Sequence, residues 1–259
     1  MPFTLCHPAI VIPLHRYARQ VTSLPALVIG SMAPDFPYFF SLGASGSFSH
    51  TPLGVPVYCV PAALAVYLAY YTLLRGPVLA WLPAMISARM TAPVLWPLDS
   101  VRAVAIVLGS LAVGASSHIF WDSFTHANTM IVDSDSVLRT LVAVGGYQIP
   151  LFKILQQLSS LVGFLVIATC VTAWIRRTEP AAHYRGQLSA NGKLLAFFAV
   201  LASGAVGGSA ALLYRHAVSI EHGLFNFVVT GMAGAASAIV LLCIGWQMKN
   251  RGPVAKRDK

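Results

Sequence analysis

A chain of 259 residues that is 57% hydrophobic and only 10% charged, with a mean hydropathy of +0.72, is not built to dissolve in water, because soluble domains carry about 25% charged residues. Its net charge of +9 would suit nucleic acid, but the lysines and arginines gather beside apolar runs as membrane topology demands, and nucleic-acid binding is set aside. Cys6, Cys59, Cys170 and Cys243 form no CxxC pair and read as small buried apolar side chains.

The opening MPFTLCHPAIVIPL has Pro2, Pro8 and Pro13 and no basic preamble, unlike a cleavable signal peptide. Residues 21–42 contain LPALVIGSMAPDFPYFF, too short and too broken by proline to cross a bilayer, so an interfacial or re-entrant segment is expected. Five later runs are long enough to cross, at about 20 apolar residues each: 55–74, 101–121, 155–175, 194–214 and 225–248. Residues 77–98 are apolar but hold four prolines and Arg89, and are expected to bend along the membrane rather than form a sixth span. Residues 121–154 read as a loop. The third run begins LQQLSSLVGF, a polar start expected at the interface. The fourth holds SGAVGGSAA, small residues that let helices approach closely. The fold class expected is therefore all-α: a polytopic membrane helix bundle of about five transmembrane helices with interfacial or re-entrant N-terminal helices. It forms a single membrane-embedded domain over 1–250. Residues 1–54 are an interfacial segment contributing to a site, 55–248 the bundle, and 251–259 a basic tail.

Charge orients these elements. Arg75, Arg89 and Arg102 follow the first run, Arg176, Arg177, Arg185 and Lys193 the third, and Lys249, Arg251, Lys256, Arg257 and Lys259 the fifth. With five spans all three regions share one side, expected to be cytoplasmic. The 121–154 loop carries Asp122, Asp133 and Asp135 against Arg139 and Lys153, and the 215–224 turn carries Arg215 against Glu221. These regions and the N-terminal fifty residues fall on the outer side of an inner-membrane, multi-pass protein.

Three fragments carry the chemistry: CHP, with His7; APDFPYFF and SHTP, with Asp35 and His50; and SHIFWDSFTH, with His118, Asp122 and His126. Ionisable groups at membrane depth are costly unless paired or metal-bound. His118 and Asp122 are four apart on a predicted helix, on one face with Cβ atoms about 5–6 Å apart, a spacing suited to holding a cation. His126 lies a turn further on, near that face if the helix continues. The plainer alternative is a hydrogen-bonded His118–Asp122 pair capping the bundle. Asp35 after Pro34 also reads as a turn residue, as do His7 and His50 before prolines. The five-span arrangement nevertheless sends His7, Asp35, His50, Asp122 and His126 to one membrane face, with His118 a turn below. His216, Glu221 and His222 read as an interfacial polar turn, and Asp135 as a helix cap.

On MPFTLCHPAIVIPL, GSMAPDFPYF, the SHT segment and SHIFWDSFTH, the chain resembles a family of bacterial integral membrane proteins classed as a domain of unknown function. The order His, Asp, His, His-x-x-x-Asp, His is distantly similar to the zinc-dependent phospholipase C and single-strand nuclease superfamily and to membrane-bound metal-dependent hydrolases. That resemblance implies Asp122 as bridging carboxylate, His7 on one metal, Asp35, His50 and His118 on its neighbour, and His126 as the next ligand. The superfamily's second His-x-x-x-Glu is missing, which implies one or two ions rather than three.

The function expected is metal-dependent hydrolysis of a phosphoester, lipid-linked or otherwise held in membrane lipid, at the membrane interface. Asp35 and Asp122 are the catalytic candidates, and His7, Asp35, His50, His118, Asp122 and His126 the metal ligands. Zinc suits this histidine-rich set, with manganese or iron as alternatives. The competing readings are a non-catalytic membrane protein with a structural metal or polar site, and a transporter. The transporter is disfavoured because the last three spans carry almost no charge. Ser117 and Ser123 flank the motif without a nucleophile elbow. The sequence leaves the substrate and oligomeric state open.

Overall fold

The computed structural model describes residues 3–40, 47–90, 98–181, 188–214 and 219–250; His183, Arg185, Arg215, His216 and the basic tail fall outside them. The chain is 77% helical. Among the described residues five helices are long and apolar enough to cross a membrane: Val55–Trp81, Val101–Ser134, Leu151–Arg177, Ala190–Tyr214 and His222–Asn250. This is the expected all-α polytopic bundle. We name the principal helices α1 (Pro8–Tyr17), α2 (Leu24–Gly30), α3 (Val55–Trp81), α4 (Val101–Thr125), α5 (Leu151–Arg177), α6 (Ala190–Tyr214) and α7 (Ile220–Asn250).

Between α1 and α3 the prolines keep every element short. Pro25 opens the seven-residue α2, a 3₁₀ turn Ala33–Asp35 follows, and then the single-turn helix Phe36–Phe40. At 1.5 Å per residue none of these crosses a bilayer. Residues 77–81 belong to the end of α3, which stops at Leu82 in extended conformation before Pro83, and a one-turn helix Ala84–Ser87 follows. No sixth span exists among the described residues, and 91–97 lie outside them.

Residues 121–154 depart from the expected loop. α4 continues to Thr125, a short helix Met130–Ser134 follows, and Leu141–Val144 pairs antiparallel with Tyr147–Pro150. Gly145 and Gly146, at φ +56° and +85°, make the tight turn, whose two positive φ values only glycine adopts without strain. Asp135 accepts from the Val137 backbone N–H at 2.7 Å, so its side chain caps the turn that follows, while its backbone ends the helix Met130–Ser134.

The chain divides into two compact units. One holds Met1–Phe36, Ser45–Tyr67 and Val94–Arg177; the other holds Pro37–Ala44, Leu68–Pro93 and Thr178–Lys259. In the first unit α4 buries Val107, Ser110, Leu111, Gly114, Ala115, His118, Asp122 and Thr125, a stripe repeating every three or four residues as a packed helix face does. α2 lies against its upper part. A Cβ on Gly30 would collide with the Leu111 carbonyl, and one on Gly114 with the Leu27 carbonyl and the Ser31 N–H. The Ser23 backbone N–H donates to Ser110 Oγ at 2.9 Å. This backbone-close crossing carries the 31–35 segment down to the next turn of α4, where His118 stands.

In the second unit α6 packs on α7 through glycines, as SGAVGGSAA leads one to expect. A Cβ on Gly208 would meet the Phe227 ring at 2.8 Å, and Ser203 Oγ donates to the Gly234 carbonyl at 2.9 Å.

Candidate metal centre

All six residues singled out in the sequence meet in the first unit. His7 is the residue from which α1 starts, Asp35 ends the 3₁₀ turn, His50 precedes α3, and His118 and Asp122 stand one turn apart on α4. α4 stops at Thr125; His126 has extended backbone (φ −124°, ψ 141°) and caps the helix. His7, Asp35, His118 and Asp122 are buried, and His50 and His126 about a quarter exposed.

Asp122 is the hub. Its Oδ1 lies 3.6 Å from His7 Nε2 and 3.5 Å from His126 Nδ1, and its Oδ2 lies 3.2 Å from His118 Nε2 and 3.6 Å from His50 Nε2. Asp35 Oδ1 is 3.4 Å from His50 Nε2 and 3.7 Å from His118 Nε2. One carboxylate thus presents a separate oxygen to each of two histidine groups, and Asp35 closes the second. Donor atoms of His7, Asp35 and His118 all lie within 4.8 Å of one another, as do those of His50, His118 and Asp122.

Two supporting hydrogen bonds set the direction of the imidazoles. His118 Nδ1 is 2.7 Å from the Ser31 carbonyl. A carbonyl can only accept, so Nδ1 carries the hydrogen. Ser49 Oγ donates to the Pro34 carbonyl at 2.6 Å and stands 3.3 Å from His50 Nδ1, which again puts the hydrogen on Nδ1. In both rings the neutral tautomer then aims the Nε2 lone pair at carboxylate oxygens, an arrangement that repels unless a metal ion or a second ring proton stands between. The Thr4 hydroxyl donates to Asp35 Oδ2 at 2.6 Å.

Distances separate a cation from plain ion pairing. Charge-assisted N–H···O bonds run at about 2.7–2.9 Å, and the His118 Nδ1 contact with the Ser31 carbonyl, at 2.7 Å, is that short. The six His–Asp separations, 3.2–3.7 Å, are too long for that. Two ligands each about 2.0–2.1 Å from a tetrahedral ion stand about 3.4 Å apart. Orphaned atoms point the same way. Among the described residues six buried side-chain N or O atoms lack a hydrogen-bond partner, and five are here: both nitrogens of His7, Asp35 Oδ1, His118 Nε2 and Asp122 Oδ1. At about 1–3 kcal/mol each, their cost is on the order of a whole domain's stability, about 5–15 kcal/mol. The donor set and its spacing therefore fit one or two divalent cations.

The two groups outside the spans are in ligand-ready protonation states. Burial, with His118 alongside, pushes the His7 pKa down to about 3, against the pull of Asp122 and Asp35. Burial also acts to raise Asp35, but contacts with His50, His118 and Thr4 outweigh it and hold the carboxyl below its ordinary value. His7 is neutral and Asp35 ionised near pH 7.

His126 differs from the other histidines. Its Nδ1 faces Thr125 Oγ1 at 3.1 Å and the Asp122 carbonyl at 3.3 Å, and its Nε2 faces the Gln156 amide nitrogen at 3.1 Å. Both nitrogens are hydrogen-bonded without an ion. Gln156, in the LQQLSSLVGF start of α5, is buried and turned onto His126. Sequence reasoning also passed over Thr4 and Ser49; a buried threonine inside MPFT was the available signal. Cys6, beside His7, is absent from both ligand groups. Of the polar-turn trio only His222 can be described; it is exposed and belongs to the second unit.

Residues 1–244 match the family described as a domain of unknown function (DUF4184), and the chain belongs to that family. No curated protein matches the chain, and no solved structure does.

Proposed function

We propose that the protein is a membrane-bound, metal-dependent hydrolase of phosphoesters, with zinc the best-suited ion and manganese or iron the alternatives. The observation that carries the reading is the set of five His–Asp separations at 3.2–3.7 Å among His7, Asp35, His50, His118 and Asp122, around carboxylate and imidazole atoms several of which lack hydrogen-bond partners. His7 and Asp122 Oδ1 would hold one ion, and His50, His118, Asp35 Oδ1 and Asp122 Oδ2 the other. Divalent cations held there supply a water of near-neutral pKa and offset the charge of a phosphoryl transition state.

The chain's own groups do the rest. Ser31 and Ser49 fix which ring nitrogen faces inward. Thr4 occupies Asp35 Oδ2, so Oδ1 alone is left to hold a cation or accept a proton. His126, hydrogen-bonded on both nitrogens, orients Asp122 from the helix end. The positively charged residues following the first, third and fifth apolar runs support a cytoplasmic side for those loops and, with five spans, an extracytoplasmic site in the inner membrane. A site buried at the end of a membrane helix suits a substrate carried in lipid.

The test is elemental analysis and phosphodiesterase assay of the detergent-purified protein. Bound metal and hydrolysis of bis(p-nitrophenyl) phosphate should both be lost on chelation and in Asp122→Ala, and both return to the wild-type protein with zinc. Full metal content in Asp122→Ala would contradict the site. Tight metal without hydrolysis would mark a closed structural centre, in which every position is taken by protein ligands.

A further inference from the structure

Beside the metal centre the first unit has a cavity of about 180 Å³ between α1, α4 and α5. His7 forms part of its wall, and Ala9, Trp121, Val162, Gly163 and Val166 supply most of the rest. The lining is overwhelmingly apolar. Its Ser159 hydroxyl is already engaged, donating to the Gln156 carbonyl at 2.9 Å. An apolar cavity of about 150 Å³ stays dry and takes up a benzene-sized hydrocarbon, so this one favours hydrocarbon over water.

Its depth identifies the occupant. Ser159 and Val166 lie 8 and 15 residues beyond Leu151, the first residue of α5, or about 12 and 22 Å along the axis at 1.5 Å per residue. That is the level of lipid chains in a hydrocarbon core about 30 Å thick. The cavity is open on the membrane side: Val162 is 57% and Trp121 37% exposed, and both stand on spans. At its inner end is His7, 3% exposed, with both nitrogens unpaired.

We infer that this cleft receives the hydrocarbon chain of a membrane lipid, entering sideways from the bilayer so that the lipid's phosphoester reaches the His7–Asp122 end of the metal centre. The substrate class is a phosphoester with a long acyl or isoprenoid chain. The turnover part of this inference rests on the hydrolase reading; occupation of the cleft does not.

Two measurements separate the readings. In phosphatidylglycerol vesicles doped with a phosphatidylcholine bearing a diazirine within its acyl chain, photolabelling of the full-length protein should concentrate on residues 159–166 of α5 and on α1, several-fold above α6. Val166→Phe, and independently Val162→Trp at the exposed mouth, should reduce that labelling. Asp122→Ala should not. Labelling spread evenly over the lipid-facing helices, or unmoved by either variant, would overturn the cleft. In the second measurement kcat/KM is compared for short-chain and long-chain alkyl phosphodiesters, with metal content as the check on folding. Filling the cleft should lower the long-to-short ratio about tenfold or more, and an unchanged ratio would overturn the inference. Concentrated labelling without any turnover would leave the cleft standing and remove the hydrolase.

Discussion

His7 and His126 reach the same carboxylate oxygen at 3.6 and 3.5 Å, yet their surroundings differ. His7 is sealed in with no hydrogen-bond partner, whereas His126 shares protons with Thr125, the Asp122 carbonyl and Gln156. The cost of protonating His7 should therefore show in stability. Its pKa of about 3 lies below the unfolded value of about 6.5, so the unfolded chain binds the extra proton first. Stability is then full above about pH 6.5 and lost as pH falls toward 3. Thermal midpoints of chelator-treated protein should fall across that window, and His7→Gln should flatten the fall. Gln156 tests the other histidine. Gln156→Leu should cut turnover about 10- to 100-fold while bound metal stays near wild type; metal lost together with activity would show Gln156 to be part of the fold. The six clustered residues were legible in the sequence because ionisable side chains stand out in an apolar chain. Their supports were not. Ser31 contributes only its carbonyl, which every residue has, and a glutamine near the start of a span looks like an interfacial group.

The crossing of α2 over α4 turns that list into a cluster. Gly30 and Gly114 bring two backbones together where a Cβ would strike a carbonyl, and the next turn of each segment delivers Ser31 and Asp35 to His118. Gly114→Ala should overpack this contact by about 1–3 kcal/mol. For a chain of this size that is about 2–4 °C in Tm per kcal/mol. Metal affinity should fall with it, because the Ser31–His118 bond depends on the same approach; calorimetry and zinc titration of the variant check both. An unchanged Tm would mean that the helices have slack at the crossing. The five spans were readable from their apolar length alone. The hairpin at 141–150 was not, because its strands are four residues long and the surrounding charges suggested a plain loop; Gly145–Gly146 between two short β-type runs was the missed signal. The end of α4 was likewise unreadable, since nothing in FTHANT says that the helix stops before His126.

The His/Asp cluster belongs to the first unit, and the second unit has its own polar ties. In the second unit Arg89 Nε donates to the Thr178 carbonyl at 2.6 Å and Lys193 Nζ to the Leu82 carbonyl at 2.9 Å. These bonds tie together loops that the charge pattern had assigned to one membrane side. Anomalous diffraction from crystals of the zinc-loaded protein, recorded on both sides of the zinc edge, addresses the His/Asp cluster directly. One or two peaks should appear about 2.0–2.2 Å from Asp122 oxygens, one of them against His118 Nε2. A cluster without a peak, its histidines closed onto Asp35 and Asp122 at about 2.7–2.9 Å, would contradict the metal centre and the hydrolase with it.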